Sequence, residues 1–114
     1  MTTISTHVLD TSLGLPGRGM RVSLERVDAH GDGTVIGAGV TDDEGRARNL
    51  VGAGKTLDAG IYRLRFDAAA YFARDGREGF FPDVSITFRV GATAQHYHVP
   101  LLLSPFGYTT YRGS

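Results

Sequence analysis

VSITFRV, residues 84–90, alternates without a fault. Val84, Ile86, Phe88 and Val90 fall on one face of an extended chain, and Ser85, Thr87 and Arg89 fall on the other. This period of two is the pattern of a strand with one buried face. Upstream, IYRLRF (61–66) sets Tyr62, Leu64 and Phe66 against Arg63 and Arg65, and MRVSLERV (20–27) sets Met20, Val22 and Leu24 against Arg21, Ser23 and Glu25. TVIGAGVT (34–41) is a weaker strand, loosened by Gly37 and Gly39. Turn signals separate the runs at Leu15-Pro16-Gly17, His30-Gly31-Asp32-Gly33, Asp43-Glu44-Gly45 and Phe81-Pro82-Asp83. Strand-like runs at a spacing of about 10 residues, with turns between them, predict an all-β two-sheet sandwich. One segment departs from the alternation. DAAAYFARDG (67–76) is alanine-rich, opens on Asp67 as an N-cap and closes on Gly76, and it predicts a single short helix.

The composition narrows the function classes. The chain has 114 residues, so one domain spanning 1–114 is expected, long enough for a real core. Formal net charge is zero, which gives no footprint for nucleic acid. Eleven arginines stand against one lysine, Lys55. Arginine suits bidentate recognition of planar acceptors, although a genomic base bias produces the same count. There is no cysteine, which removes disulfides and thiol catalysis and fits a reducing compartment. MTTISTHVLDTS has no basic region followed by an apolar run, no apolar stretch is long enough for a bilayer, and Arg-Gly-Ser is not a peroxisomal address. A cytoplasmic protein without membrane contact is expected.

Four histidines are the candidates for chemistry. His30, in the HGDG turn, reads as solvent-exposed. His7 lies in ISTHVLDT, a mixed strand with no local partner, and Asp10 beside it reads as a turn cap. In QHYHVPLLLSPFGY, His96 and His98 share a strand face with Pro100, while Tyr97, Val99 and Leu101 face the core. A His-x-His pair on a strand has zinc-binding spacing, and it is also an ordinary solvent-facing strand surface. Pro100 lacks a ladder donor and places this strand near an edge or a bulge. Arg46 follows the tight turn of VTDDEGRARNL, with Arg48 two residues on. TDDEG lacks the spaced ligands and distal glutamate of a calcium loop and reads as a solvated turn. No phosphate-binding loop, dinucleotide fingerprint or nucleophile elbow occurs.

STHVLDTSLGLPG (5–17), TDDEGR (41–46) and HYHVPLLLSPFGYTTYRGS (96–114) together resemble the 5-hydroxyisourate hydrolase family, the transthyretin-like enzymes of purine breakdown. GIYRLRFD and AYFARDGREGFFPDVSITF extend the resemblance over essentially the whole chain, and Tyr-Arg-Gly-Ser at its end is the most specific piece. The resemblance implies a transthyretin-like β-sandwich with one short helix. It also implies a homotetramer built as a dimer of dimers, with active sites where the dimers meet. It assigns His7, Arg46 (rather than Arg48) and His98 as the catalytic set, with Tyr111 and the tail through Ser114 lining the substrate pocket. Glu44 stands where many relatives have aspartate. His96, about 6.6 Å along the strand from His98, is expected outside a compact pocket.

The activity so implied is hydrolysis of 5-hydroxyisourate with no metal or cofactor. His7 and His98 handle protons, Arg46 clamps the substrate carbonyls, and the tail closes the pocket. On this reading the chain ends on a strand because that strand lines a channel. Two rivals stand beside it. Transthyretin itself resembles the same scaffold, as a carrier that binds a small ligand in its channel without chemistry. Prealbumin-like β-sandwich modules resemble the first half of the chain but give no role to His98 or the tail.

Overall fold

The structure, a computed structural model, describes residues 1–52 and 55–114. Its strands in chain order are β1 (Thr3–Asp10), β2 (Leu15–Pro16), β3 (Arg21–Val27), β4 (Gly33–Val40), β5 (Arg46–Ala47), β6 (Gly60–Phe66), β7 (Val84–Val90), β8 (His96–Ser104) and β9 (Gly107–Thr110), with helix α1 (Ala68–Ala73) between β6 and β7. One sheet runs β2-β1-β8-β9, with β5 also paired to β1, and the other runs β4-β3-β6-β7. This is the two-sheet β-sandwich with one short helix that the alternation predicts. No helix among the described residues is long and apolar enough to cross a membrane.

The alternating residues do what their period requires. Val22, Leu24, Tyr62, Leu64, Phe66, Val84, Ile86 and Val90 turn inward from the second sheet. They meet Ile4, Val8, Tyr97, Val99, Leu101 and Leu103 from the first. Each such side chain stabilises the fold by about 1.5–3 kcal/mol through removal from water. Glu25 departs from its polar-face expectation and is buried, because Arg63 (2.8 Å) and Arg65 (3.2 Å) close over its carboxylate. Strand β4 lies at the edge of its sheet and slips register at Leu24/Glu25, as its glycines foretell.

Asp67 caps α1, its carboxylate accepting from the Ala70 N–H, and Gly76 follows the helix at φ 75°. The helix itself ends at Ala73, with Arg74 as its C-cap. It buries Tyr71 and Phe72 over one end of the sandwich, where Asp10 lies fully buried. Asp10 Oδ1 accepts from Ser12 Oγ and the Leu13 N–H, so the expected turn cap is present. Its Oδ2 accepts from Tyr71 Oη (2.7 Å) and Arg77 Nη2 (2.9 Å), bonds across more than sixty residues that no local pattern announces. Burial pushes this carboxyl up, but the Arg77, Ser12 and Tyr71 bonds outweigh it and hold its pKa down to about 2.

Pro100 corrects the edge-strand expectation. Strand β8 is central, paired in parallel with β1 and antiparallel with β9. The β8–β9 register (Leu101↔Thr110) continues to an isolated bridge, His98↔Gly113, so Pro100 and Tyr111 stand opposite each other in the gap between. The missing proline donor costs little there, because the ladder resumes two residues on through Gly113 N–H to the His98 carbonyl at 2.8 Å.

Candidate active site

The parallel pairing of β1 with β8 builds the site. Its register sets Thr3 beside His96, Ser5 beside His98 and His7 beside Pro100. Strand β5 sets Arg46 beside His7. Register partners share a sheet face, so these polar side chains gather on the outer face while Ile4, Thr6 and Val8 point inward. The Asp42–Gly45 turn delivers Arg46 to that face. Asp42 Oδ1 accepts from the Glu44 and Arg46 N–H groups, and Gly45 takes φ 80° against β1, where a Cβ would lie 2.3 Å from the Val8 carbonyl oxygen.

A cavity of about 320 Å³ opens on this face, lined by Ser5, Thr6, Arg46, Arg48, His96, His98 and Ser114. It brings together three of the sequence-derived residues, Arg46, His98 and Ser114. His7 stands beside Arg46 but is not among the lining residues. Tyr111, 57 % exposed, lines a neighbouring cavity of similar size with Tyr97, Arg112 and, again, His98. One expectation needs correction: His96 lines the His98 cavity, and Arg48 lines it as well. The two imidazole centroids lie 6.4 Å apart. That distance does not separate them, since near-parallel rings (20°) leave room for one hydroxyl to reach both.

That hydroxyl is Ser5 Oγ, 2.9 Å from His96 Nε2 and 2.7 Å from His98 Nδ1. Ser5 opens the STHVLD stretch but had no role assigned to it, and Thr3 lies outside every motif; their shared face with His7 was the available signal. Burial pushes the His98 pKa below its ordinary value, and the positive charges of His7, His96 and Arg46 push it further the same way. The neutral ring, able to accept a proton at Nε2, is therefore favoured near neutral pH. His7 Nε2–H donates to the Glu44 carbonyl at 2.8 Å. A carbonyl only accepts, so the neutral His7 ring keeps its lone pair on Nδ1. Arg46 is loosely held, 3.6 Å from the well-exposed Glu44 carboxylate, so its guanidinium is available to another planar acceptor.

The tail is fastened down. Besides the Gly113 bond, Arg112 lies over the Tyr97 ring (4.9 Å) and donates to Gln95 Oε1. A Cβ on Gly113 would stand 2.6 Å from His98 Cδ2, so glycine is what lets the tail rest against this imidazole. A larger depression of about 720 Å³ lies over the other sheet near Arg21, Val40, Arg65 and Asp83. It contains no histidine and none of the residues above, and size alone does not make it the reactive site.

Residues 4–113 match the HIUase/Transthyretin family. The chain belongs to this family. A probable 5-hydroxyisourate hydrolase of Caenorhabditis elegans is 44 % identical over 111 residues, covering 97 % of this chain and 81 % of its relative. The structure of Klebsiella pneumoniae 5-hydroxyisourate hydrolase superposes with a TM-score of 0.85 at 41 % identity, covering 98 % and 99 % of the two chains. Transthyretin from Sparus aurata superposes with a TM-score of 0.88 at 33 % identity, covering 97 % and 96 %. A hydrolase and a transthyretin thus fit this HIUase/Transthyretin family fold equally well, and the residues of the site must decide between them.

Proposed function

We propose that this protein hydrolyses 5-hydroxyisourate to 2-oxo-4-hydroxy-4-carboxy-5-ureidoimidazoline, a step of urate degradation. The observation that carries the reading is one cavity holding a neutral-leaning His98, the loosely paired Arg46 and the chain-terminal Ser114. The names of the hydrolases at 41–44 % identity support it.

In this reading, His98 Nε2 accepts a proton from water as the water oxygen attacks a ring carbonyl carbon. The carbonyl π electrons move onto oxygen, and Arg46 stabilises that developing charge. Collapse of the adduct breaks the C–N bond. The departing nitrogen takes a proton from the histidines, from His98 itself or from His7 at the edge of the site, and the acyl carbon leaves as carboxylate. A positioned acid or base of this kind contributes about 10²–10⁴-fold. Tyr111 and the Arg112–Ser114 tail hold the substrate in register.

No metal or cofactor enters the proposal. The facing nitrogens of His96 and His98 are both engaged with Ser5 Oγ, so a metal between them would have to displace that hydroxyl. Assembly as a homotetramer, a dimer of dimers, is part of the reading. Leu13, Leu15 and Phe106 are 49 %, 58 % and 78 % exposed, which is apolar surface of the kind that association buries.

Turnover of freshly made 5-hydroxyisourate, followed by ultraviolet absorbance in purified and chelator-treated protein, tests the reading. Catalysis well above the spontaneous rate, unaffected by chelation, is expected. Ligand binding without turnover would favour the carrier instead.

A further inference from the structure

We infer that His96 is a positioning residue for His98, acting through Ser5, and that the chain Thr3–His96–Ser5–His98 sets which ring nitrogen of His98 carries the proton. The inference rests on the proposed role of His98 in proton transfer.

The contacts form an unbroken line. Thr3 Oγ1 lies 2.5 Å from His96 Nδ1, Ser5 Oγ lies 2.9 Å from His96 Nε2, and Ser5 Oγ lies 2.7 Å from His98 Nδ1. Both nitrogens of His96 are thus engaged by hydroxyls. On His98, Nδ1 is engaged and Nε2 is left for substrate. The register of β1 against β8 makes this line, since Thr3 and His96 are partners and so are Ser5 and His98.

Proton counting gives the line its consequence. Ser5 has one O–H proton and stands between two ring nitrogens, so it donates to one and accepts from the other. When it donates to His98 Nδ1, the His98 proton sits on Nε2 and faces the cavity as an acid. His96 then donates Nε2–H to Ser5, and its Nδ1 accepts from Thr3. When Ser5 donates to His96 Nε2, His98 donates Nδ1–H to Ser5, and Nε2 presents a lone pair to water. His96 then donates Nδ1–H to Thr3 Oγ1. The second arrangement is the base. Both histidines are neutral in each, and the two arrangements interconvert only if the whole line reverses together. After His98 accepts a proton from water, its Nδ1–H still donates to Ser5, and delivery of the Nε2 proton to the departing nitrogen restores the starting state.

The groups facing His98 favour a neutral line. His7 comes from β1, His96 from the same strand and Arg46 from β5, with Arg48 and Ser114 completing the cavity wall. The three named first push the His98 pKa down, after burial. A proton stored permanently on His96 would add to that repulsion, so His96 serves by tautomer and not by charge.

The test reads the tautomer directly. Long-range proton–nitrogen correlation spectra of the ¹⁵N-labelled chain report His98 Nδ1 and Nε2 separately, in wild type and in Ser5→Ala, His96→Phe and His96→Gln. Wild type should hold its His98 proton on Nδ1 above the imidazole pKa. Ser5→Ala and His96→Phe should mix the two tautomers and lower kcat by about 10-fold, less than the 10²–10⁴-fold of losing the proton-transfer group itself, with little change in KM. His96→Gln, whose amide reaches toward Ser5 from near the Nε2 position, should recover the wild-type tautomer. His96 is exposed, so the His96 variants fold even if Ser5→Ala lowers stability. Unchanged His98 nitrogen shifts and an unchanged pH profile in Ser5→Ala and His96→Phe would overturn the inference. If the variants mix the tautomers as expected but wild type turns over no 5-hydroxyisourate, the proposed function falls and the coupling stands.

Discussion

The two faces of β1 carry two polar clusters, and they are built to opposite ends. On the inner face, Asp10 is fully buried and its two oxygens accept four bonds, from Ser12, Leu13, Tyr71 and Arg77. On the outer face, Ser5 and His7 stand over β8 and β5, and His98 engages Ser5 through Nδ1, with no side-chain partner at Nε2 among the described residues. A satisfied cluster fixes shape, because removing any member leaves a buried group unpaired. An incompletely satisfied cluster beside a cavity leaves capacity for a substrate. The same strand therefore contributes stability from one face and chemistry from the other.

Substitutions should separate the two. Arg46→Glu reverses the charge offered to the substrate, and turnover should fall by at least about 10³-fold while the melting temperature stays near wild type; a steady-state assay paired with calorimetry checks both. Asp10→Ala should do the converse. It strands Tyr71 Oη and leaves Arg77 with Asp75 and Ser12, and an unpaired buried polar group costs about 1–3 kcal/mol, read as a lowered urea midpoint. Activity per folded molecule should persist. If Asp10→Ala abolished turnover in protein still folded, the division between faces would be wrong.

Gly113→Ala sharpens the outer face. Its Cβ must displace the His98 ring, which it would otherwise approach to 2.6 Å. Small misplacements of reacting groups cost up to about 10²-fold, so kcat should fall while the melting curve remains. The smallest effect is on acid stability. The unfolded chain binds a proton at Asp10 near pH 3.8 and the folded chain only near 2. The unfolded state therefore takes up protons first, and the contribution of Asp10 is present above pH 3.8 and lost as pH falls toward 2. Asp10→Asn should flatten the decline of melting temperature over that window. An identical decline in both proteins would place the acid sensitivity elsewhere.

How much of this was legible in the sequence follows from what a period of two can encode. Alternation says which face a residue takes, so the inward set of Val84, Ile86, Leu64 and Phe66, the outward set of His96 and His98, and the cap at Asp67 were all readable. Alternation does not say which strand lies alongside. The parallel union of the first strand with the eighth joins Ser5 to His98 across 93 positions, and the closure of α1 over the sandwich end joins Asp10 to Tyr71 across 61. Neither leaves a local trace. Pro100 misled for the same reason: its missing donor was visible, but the gap opposite Tyr111 that absorbs it depends on where the tail returns. Assignment to the family through His7, Arg46, His98 and the tail came from resemblance. It gave no role to Ser5, Thr3, His96 or Arg48.

The central claim is that the outer-face imidazole of His98 performs the proton transfer while the fold stands without it. His98→Asn tests this most directly, with kcat/KM for 5-hydroxyisourate and thermal unfolding measured on the same preparation. The account predicts a loss of at least about 10²-fold in kcat/KM with a melting temperature near wild type. Turnover within a few-fold of wild type in the folded variant would contradict it.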